Sequence, residues 1–360
     1  MKNSGFSRPA DRAQAFAERL GLRLPILLAP MAGACPPSLS IAVANVGGMG
    51  ACGALLLQPD AIRDWATEFR AHSSGEFQIN LWIPGPEPVR DPTAEARQRD
   101  YLAQWGPPVA PEAGDSVLPD FNAQCNALLD VRPKAISSIM GAYRPSFVRE
   151  MKDRGILWFA TATTVAEARA AEASGADAIF AQGMEAGGHR GSFRPENAEV
   201  HLIGLFSLLP QICDAVSTPV IAAGGIADAR AVAAALILGA SAAMIGTAFL
   251  RSPEAKIHPA WADRIGQTEA HDTRLTRAFS GRTGRAIRNR YVEAAAASDA
   301  PSPAPYPVQR GFTRPMIQQA LNSGDPERMQ MWAGQSAKLT QAKPAAEITQ
   351  QLWDGALALL

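Results

Sequence analysis

The chain has 360 residues, of which 47% are hydrophobic, and its 34 Lys plus Arg are matched by 34 Asp plus Glu. That length and apolar content suit one enlarged barrel or two domains, and zero formal charge argues against nucleic acid or an anionic membrane as the main partner. The four cysteines, Cys35, Cys52, Cys125 and Cys213, are far apart and form no C-x-x-C pair, which argues against a zinc site and against a disulfide framework.

The segment Met1 to Arg12 is polar and lacks the apolar core of a secretion signal. No run is long and apolar enough to span a bilayer, so a soluble cytoplasmic protein is expected; homodimer formation stays open. Ile26 to Ala29 reads as a first buried strand, with Ala29-Pro30-Met31-Ala32-Gly33 as the loop at its end. A helix is predicted from near Ser38 to before Gly47-Gly48, then a strand within Met49 to Leu55. Gln58 to Arg70 has helical spacing, with Ile62, Trp65 and Phe69 on one face. Phe77 to Trp82 is the third strand and places Asn80 near its C-terminal edge. Pro84 to Pro119 is rich in proline and charge and reads as an excursion outside the core.

The rhythm then resumes. Helices are predicted near Asn122 to Val131, Ser146 to Arg154, Val165 to Ser174, Ile203 to Val216 and after Gly225 to Leu238. Strands alternate with them at Ala135 to Met140, Ile156 to Ala160, Ala176 to Phe180, Pro219 to Ala223 and Ser241 to Ile245. The strands are near-continuous apolar runs, as parallel strands covered on both faces should be. Eight such βα alternations predict an α/β fold of the (β/α)8 TIM-barrel type over residues 1–250, with an open doubly wound sheet as the alternative. From residue 251 to 360 the composition shifts. An arginine-rich stretch to Arg290 and a proline-rich linker at Ala300 to Pro307 precede helical patterns at Thr313 to Lys338 and Glu347 to Leu360. This tail is expected to be mainly helical and to pack at the barrel mouth.

Function should gather at the C-terminal ends of the strands. After the sixth strand comes Ala181-Gln182-Gly183-Met184-Glu185-Ala186-Gly187-Gly188-His189-Arg190-Gly191-Ser192-Phe193. Gly187 and Gly188 would let the backbone approach a flat ligand, because no Cβ intervenes. His189 can exchange protons near neutral pH, and Gln182 offers both a donor and an acceptor. The turns after strands seven and eight, Gly224-Gly225-Ile226 and Met244-Ile245-Gly246-Thr247, suit a phosphate held by free backbone N–H groups. No G-x-G-x-x-G follows the first strand, so a mononucleotide fits better than a dinucleotide. Flavin mononucleotide (FMN) would lay its ring across Ala29-Pro30-Met31, Asn80, Gln182 and Gly187-Gly188. His72, His201, His258 and His271 have no such setting. Ser280 to Arg285 reads either as a cover for the pocket or as a solvated basic loop, and Trp332 as a packing anchor in a helix.

Ala181 to Ser192 resembles the A-Q-G-x-E-A-G-G-H-R-G signature of the nitronate monooxygenases, also called 2-nitropropane dioxygenases. Asn80-Leu81-Trp82, Ala222 to Ile226, Gly246 to Leu250 and Trp332-Ala333-Gly334-Gln335 resemble other segments of that family. The resemblance implies a TIM barrel with non-covalent FMN that oxidises alkyl nitronates or nitroalkanes with dioxygen to a carbonyl compound and nitrite. It implies His189 as catalytic base or substrate-orienting residue. Met31, Asn80, Gln182, Gly187, Gly225 and the Met244 to Thr247 turn would hold FMN, with Trp332 and Gln335 at its border. The alternative is an FMN-dependent NAD(P)H oxidoreductase resembling the enoyl-acyl-carrier-protein reductases of the same fold.

Overall fold

A computed structural model describes residues 8–360; the first seven residues of the polar N-terminal segment lie outside the described part. The chain runs α1 (Pro9–Leu20), β1 (Ile26–Leu28), α2 (Pro37–Asn45), β2 (Gly50–Gly53), α3 (Pro59–His72) and β3 (Phe77–Trp82). The excursion follows and holds α4 (Pro92–Leu102). Next come α5 (Phe121–Val131), β4 (Ala135–Ile139), α6 (Pro145–Asp153), β5 (Leu157–Ala162), α7 (Val165–Ala173) and β6 (Ala178–Gln182). A two-residue strand β7 (Gly188–His189) precedes α8 (Leu205–Ala215), β8 (Val220–Ala223), α9 (Ala229–Ile237) and β9 (Ala242–Ile245). The remainder holds α10 (Pro259–Gln267), β10 (Thr273–Thr276), β11 (Gly284–Ile287), α11 (Arg290–Ala294), α12 (Val308–Ser323) and α13 (Ala345–Leu357).

Eight parallel strands pair in the order β1-β9-β8-β6-β5-β4-β3-β2. The ring closes between β1 and β2, where Leu28 N–H donates to Met49 O at 2.9 Å and Met49 N–H to Ile26 O at 3.0 Å. This is a (β/α)8 TIM barrel, and the open-sheet alternative is excluded. Side-chain alternation explains the apolar runs. Ile26, Leu28, Ile179, Ala181, Ala243 and Ile245 face out to the helices. Leu27, Phe159, Phe180, Ile221 and Ala242 face in and fill the barrel, and Phe16 and Leu20 of α1 join them at its base. Phe159 and Phe180 meet edge to face at 5.7 Å, and full burial of such a side chain stabilises by roughly 1.5–3 kcal/mol.

The tail departs from a purely helical addition. β10 and β11 form an antiparallel hairpin, and β11 pairs on with β7, so the His189 segment becomes the edge of a three-stranded sheet. α12 packs over the mouth against α4 of the excursion, around a small core of Leu102, Phe279, Tyr291, Phe312 and Met316. α13 goes elsewhere: Ile348, Leu352 and Trp353 pack with Leu28 and Ile245 in the barrel's outer layer, where no α-helix follows β9 directly. α4 was hidden by its proline-rich flanks, yet its start is well built: Pro92 opens it and the Asp91 carboxylate accepts from the N–H groups of Thr93 and Ala94.

Candidate active site

Inward positions change character along the barrel. The lower rows are apolar apart from Gln78, while the upper ones are Asn80, Ser137, Thr161 and Gln182, all buried and polar. Asn80 donates through Nδ2 to Ser137 Oγ at 3.1 Å. Two residues further up β3, Trp82 reaches the imidazole of His189, with ring centroids 4.6 Å apart. The strand period of two thus lifts Asn80 and Trp82 onto the same wall.

The loop after β6 is pinned from within. Gln182 donates through Nε2 to His189 O at 3.1 Å and accepts through Oε1 from Gly191 N–H at 2.7 Å. Most of its amide is therefore spent on holding the histidine's backbone. Glu167 accepts from Thr163 N–H and Phe193 N–H and from two hydroxyls, fixing the far end of the same loop. Glu185 accepts from Leu205 N–H at the start of α8 and acts in the framework.

The imidazole meets a second indole, that of Trp332, with ring centroids 4.7 Å apart. Its Nε2 is 2.8 Å from Ser280 Oγ. That hydroxyl donates to Arg282 O at 3.1 Å and accepts from Arg282 N–H at 3.2 Å. The hydroxyl has one proton to give, to Arg282 O or to Nε2; given to Arg282 O, it leaves Nε2 as the donor and Nδ1 with the lone pair. Burial pushes the imidazole down to about 3, and the nearby Arg282 guanidinium acts in the same direction. The ring is neutral at physiological pH.

The residues expected to bind a cofactor come together at this mouth in different ways. Gly187 faces protein: a Cβ there would lie 2.5 Å from Gly334 N and 2.6 Å from Ala333 C. Gly188, at φ +75°, faces open space. Gly224 and Gly225 adopt φ +100° and +71° in succession, a backbone path that glycine takes without strain. No protein acceptor takes the N–H of Gly224, Gly225 or Gly246 among the described residues. Gly246 lies against Ala29 Cβ and Met31 Sδ, which brings the loop through Pro30 to the same turn. Thr247 Oγ1 accepts from Gly334 N–H at 3.0 Å, and Gln335 N–H donates to Glu185 O at 2.9 Å. Two expected residues sit differently. Ile245 is 1% exposed and its side chain belongs to the outer core, so only its backbone reaches the mouth. Met244 points into the barrel near Gln78 Nε2.

Two expectations need correction. Ser280 to Arg285 is not a solvated loop: Ser280, Thr283 and Arg285 are 2%, 5% and 6% exposed, because the segment is the turn and second strand of the hairpin. Trp332 is not on a helix but in an extended bridge to Ala286. Trp82, Ser280 and Arg282 stand at the imidazole without having been singled out as site residues. Tyr306, 5.5 Å from Trp82 between ring centroids, extends the aromatic wall. Of the other histidines, His72, His201 and His271 are exposed and His258 caps α10.

A closed barrel with a polar mouth, one enclosed imidazole and two turns of free amides defines a barrel enzyme. Comparison with known proteins names the group. The family model for nitronate monooxygenase matches residues 15–355. A probable nitronate monooxygenase of Staphylococcus aureus strain MSSA476 is 34% identical over 344 residues, covering 94% of this chain and 95% of that one. The crystal structure of nitroalkane oxidase from Streptomyces ansochromogenes superposes with TM-score 0.86 at 33% identity, covering 96% of this chain and all of the other. FabK from Thermotoga maritima superposes with TM-score 0.73 at 27% identity, covering 96% of each chain. The chain belongs to the nitronate monooxygenase family and is an oxidoreductase. No helix among the described residues is long and apolar enough to cross a membrane.

Proposed function

We propose that the protein binds FMN and oxidises alkyl nitronates with dioxygen to a carbonyl compound and nitrite. The observation that carries the reading is the pairing of a neutral imidazole with a mouth whose free amides suit a singly phosphorylated, planar group. The residues present fit FMN. Gly224, Gly225 and Gly246 offer amides without protein acceptors, the Thr247 hydroxyl proton is left to donate, and the space above Gly188 has no Cβ or neighbour to fill it. When bound, FMN supplies the redox chemistry that no side chain here can perform.

The chain's own residues do the rest. Trp82 and Trp332 flank the half-buried imidazole. Ser280 hydrogen-bonds Nε2 and holds the ring in place, and the Arg282 guanidinium supplies positive charge for an anion at the same place. A base with a pKa of about 3 is poorly matched to removing a carbon-bound proton at neutral pH. The arrangement therefore favours a substrate that arrives already ionised as a nitronate, with His189 as its orienting residue. Oxygen uptake and nitrite release on adding ethyl nitronate to the yellow, flavin-loaded protein is the expected result. A colourless protein that stays inert after FMN is added would reject the reading.

A further inference from the structure

α12 buries Val308, Phe312 and Met316 in the small core over the mouth. On the same helix Gln309 and Thr313 are 0% exposed. A buried amide or hydroxyl costs free energy unless it is hydrogen-bonded, so each of these side chains needs a particular partner. Four residues apart, they share one face of the helix, and they reach consecutive carbonyls of the hairpin turn. Gln309 donates through Nε2 to Ala278 O at 2.7 Å. Thr313 has two acceptors within reach of its one proton, and Phe279 O at 2.7 Å is nearer than Arg310 O at 3.3 Å. Tyr291, also fully buried, donates its hydroxyl to Ala278 O at 3.0 Å. No main-chain N–H takes either carbonyl among the described residues. Buried carbonyls need donors, and here side chains of the tail supply them.

The next residue is Ser280. The peptide that joins it to Phe279 carries the carbonyl bound by Thr313, and that peptide is planar, so its tilt sets where the Ser280 side chain starts. Ser280 Oγ lies 2.8 Å from His189 Nε2. Hydrogen bonds weaken steeply with poor angles, so a small tilt of the peptide is felt at the imidazole. Gln309 also reaches the linker: its Oε1 accepts from Ala304 N–H at 3.0 Å. That bond ties the proline-rich linker to the same turn, where a Cβ on Gly281 would lie 2.7 Å from Tyr306 N. The linker therefore backs the turn at close range.

We propose that Gln309 and Thr313 are positioning residues, which act through the Phe279–Ser280 peptide to hold Ser280 against His189. The tail after the barrel thus completes the site rather than merely covering it. The inference rests on the reading of His189 as the residue that orients the substrate, and its first test does not depend on what the substrate is.

Nitrogen NMR of the flavin-loaded protein, made with isotope-labelled histidine, provides that test. The ring signals of His189, assigned by their loss in His189→Ala, report the hydrogen bond at Nε2. Thr313→Val, which removes the hydroxyl at nearly constant shape, and Gln309→Leu should move the Nε2 signal in the direction that Ser280→Ala moves it. Thr313→Ser should restore it. Met316→Ala, a loss of apolar packing on the same helix, should leave it in place. With ethyl nitronate, Thr313→Val should lower kcat/KM roughly threefold or more, the worth of a weakened hydrogen bond, at unchanged flavin content. In a Ser280→Ala background the same change should cost nothing further. Full additivity of the two substitutions marks independent effects and overturns the proposal. So does a His189 signal that ignores Thr313→Val and Gln309→Leu, or one that Met316→Ala shifts as far. A protein inert towards nitronates refutes the functional reading, and the NMR result then decides this proposal alone.

Discussion

Adjacent glycines in the motif, Gly187 and Gly188, should fail in opposite ways when each is replaced by alanine. At Gly187 the new Cβ would lie 2.5 Å from Gly334 N and 2.6 Å from Ala333 C. Both are backbone atoms, so no rotamer relieves the overlap. The Trp332 to Gln335 segment must move out, which weakens the bonds from Gly334 N–H to Thr247 Oγ1 and from Gln335 N–H to Glu185 O. Overpacking costs about 1–3 kcal/mol and each of the two lost bonds about 0.5–1.5 kcal/mol, so Gly187→Ala should cost about 2–6 kcal/mol. For a chain of this size each kcal/mol lowers Tm by roughly 1–1.5 °C. At Gly188 nothing lies within 4 Å and only the φ of +75° resists, at about 1–2 kcal/mol. Its methyl group would instead enter the space assigned to the flavin ring. Calorimetric melting and FMN titration on both variants should show the larger Tm loss in Gly187→Ala and a loss of FMN affinity of tenfold or more in Gly188→Ala. Undiminished FMN affinity in Gly188→Ala, or an unchanged Tm in Gly187→Ala, would refute this assignment of the two faces.

Three further outcomes are expected. Ser280→Ala removes the hydrogen-bond partner of His189 Nε2; kcat/KM for a nitronate should fall up to about tenfold, the worth of one hydrogen bond, with FMN content unchanged, while Ser280→Thr restores it. Activity on a substrate that is ionised throughout should show no limb near pH 6.5, because burial and Arg282 hold His189 neutral down to about 3. The same shift has a sign for stability: the unfolded chain binds the proton first, so this contribution is intact above pH 6.5 and is lost as pH falls toward 3; a melting series over that range checks it. His189→Ala should retain FMN yet lose at least tenfold in kcat/KM on ethyl nitronate, and a variant as active as the parent would remove His189 from the account.

Much of this was legible because parallel strands covered on both faces leave continuous apolar runs, as at Ile26 to Leu28 and Ala178 to Gln182. The glycine-rich segment after β6 and the turns after β8 and β9 were visible for the same reason, each standing where an apolar run stops. The hairpin was not. β10 and β11 are four residues each, and the β7 strand they join is two residues long and nearly a hundred positions earlier. Such pairing leaves no local period to read. Ser280 and Arg282 therefore read equally as a cover for the pocket or as a solvated basic loop when only their charge was in view. Trp332 looked helical because its neighbours Met329, Met331 and Ala333 are apolar, though they are buried by tertiary packing. A signal existed for α4: Asp91-Pro92 followed by Glu95 is a helix start.

The central claim is that electrons leave a nitronate anion at this mouth and reach bound flavin. Rapid anaerobic mixing of the flavin-loaded protein with ethyl nitronate, followed in the visible absorption of the flavin, tests it most directly. The account predicts bleaching by the nitronate and none by NADPH at equal concentration. Bleaching by NADPH with no response to any nitronate would contradict it.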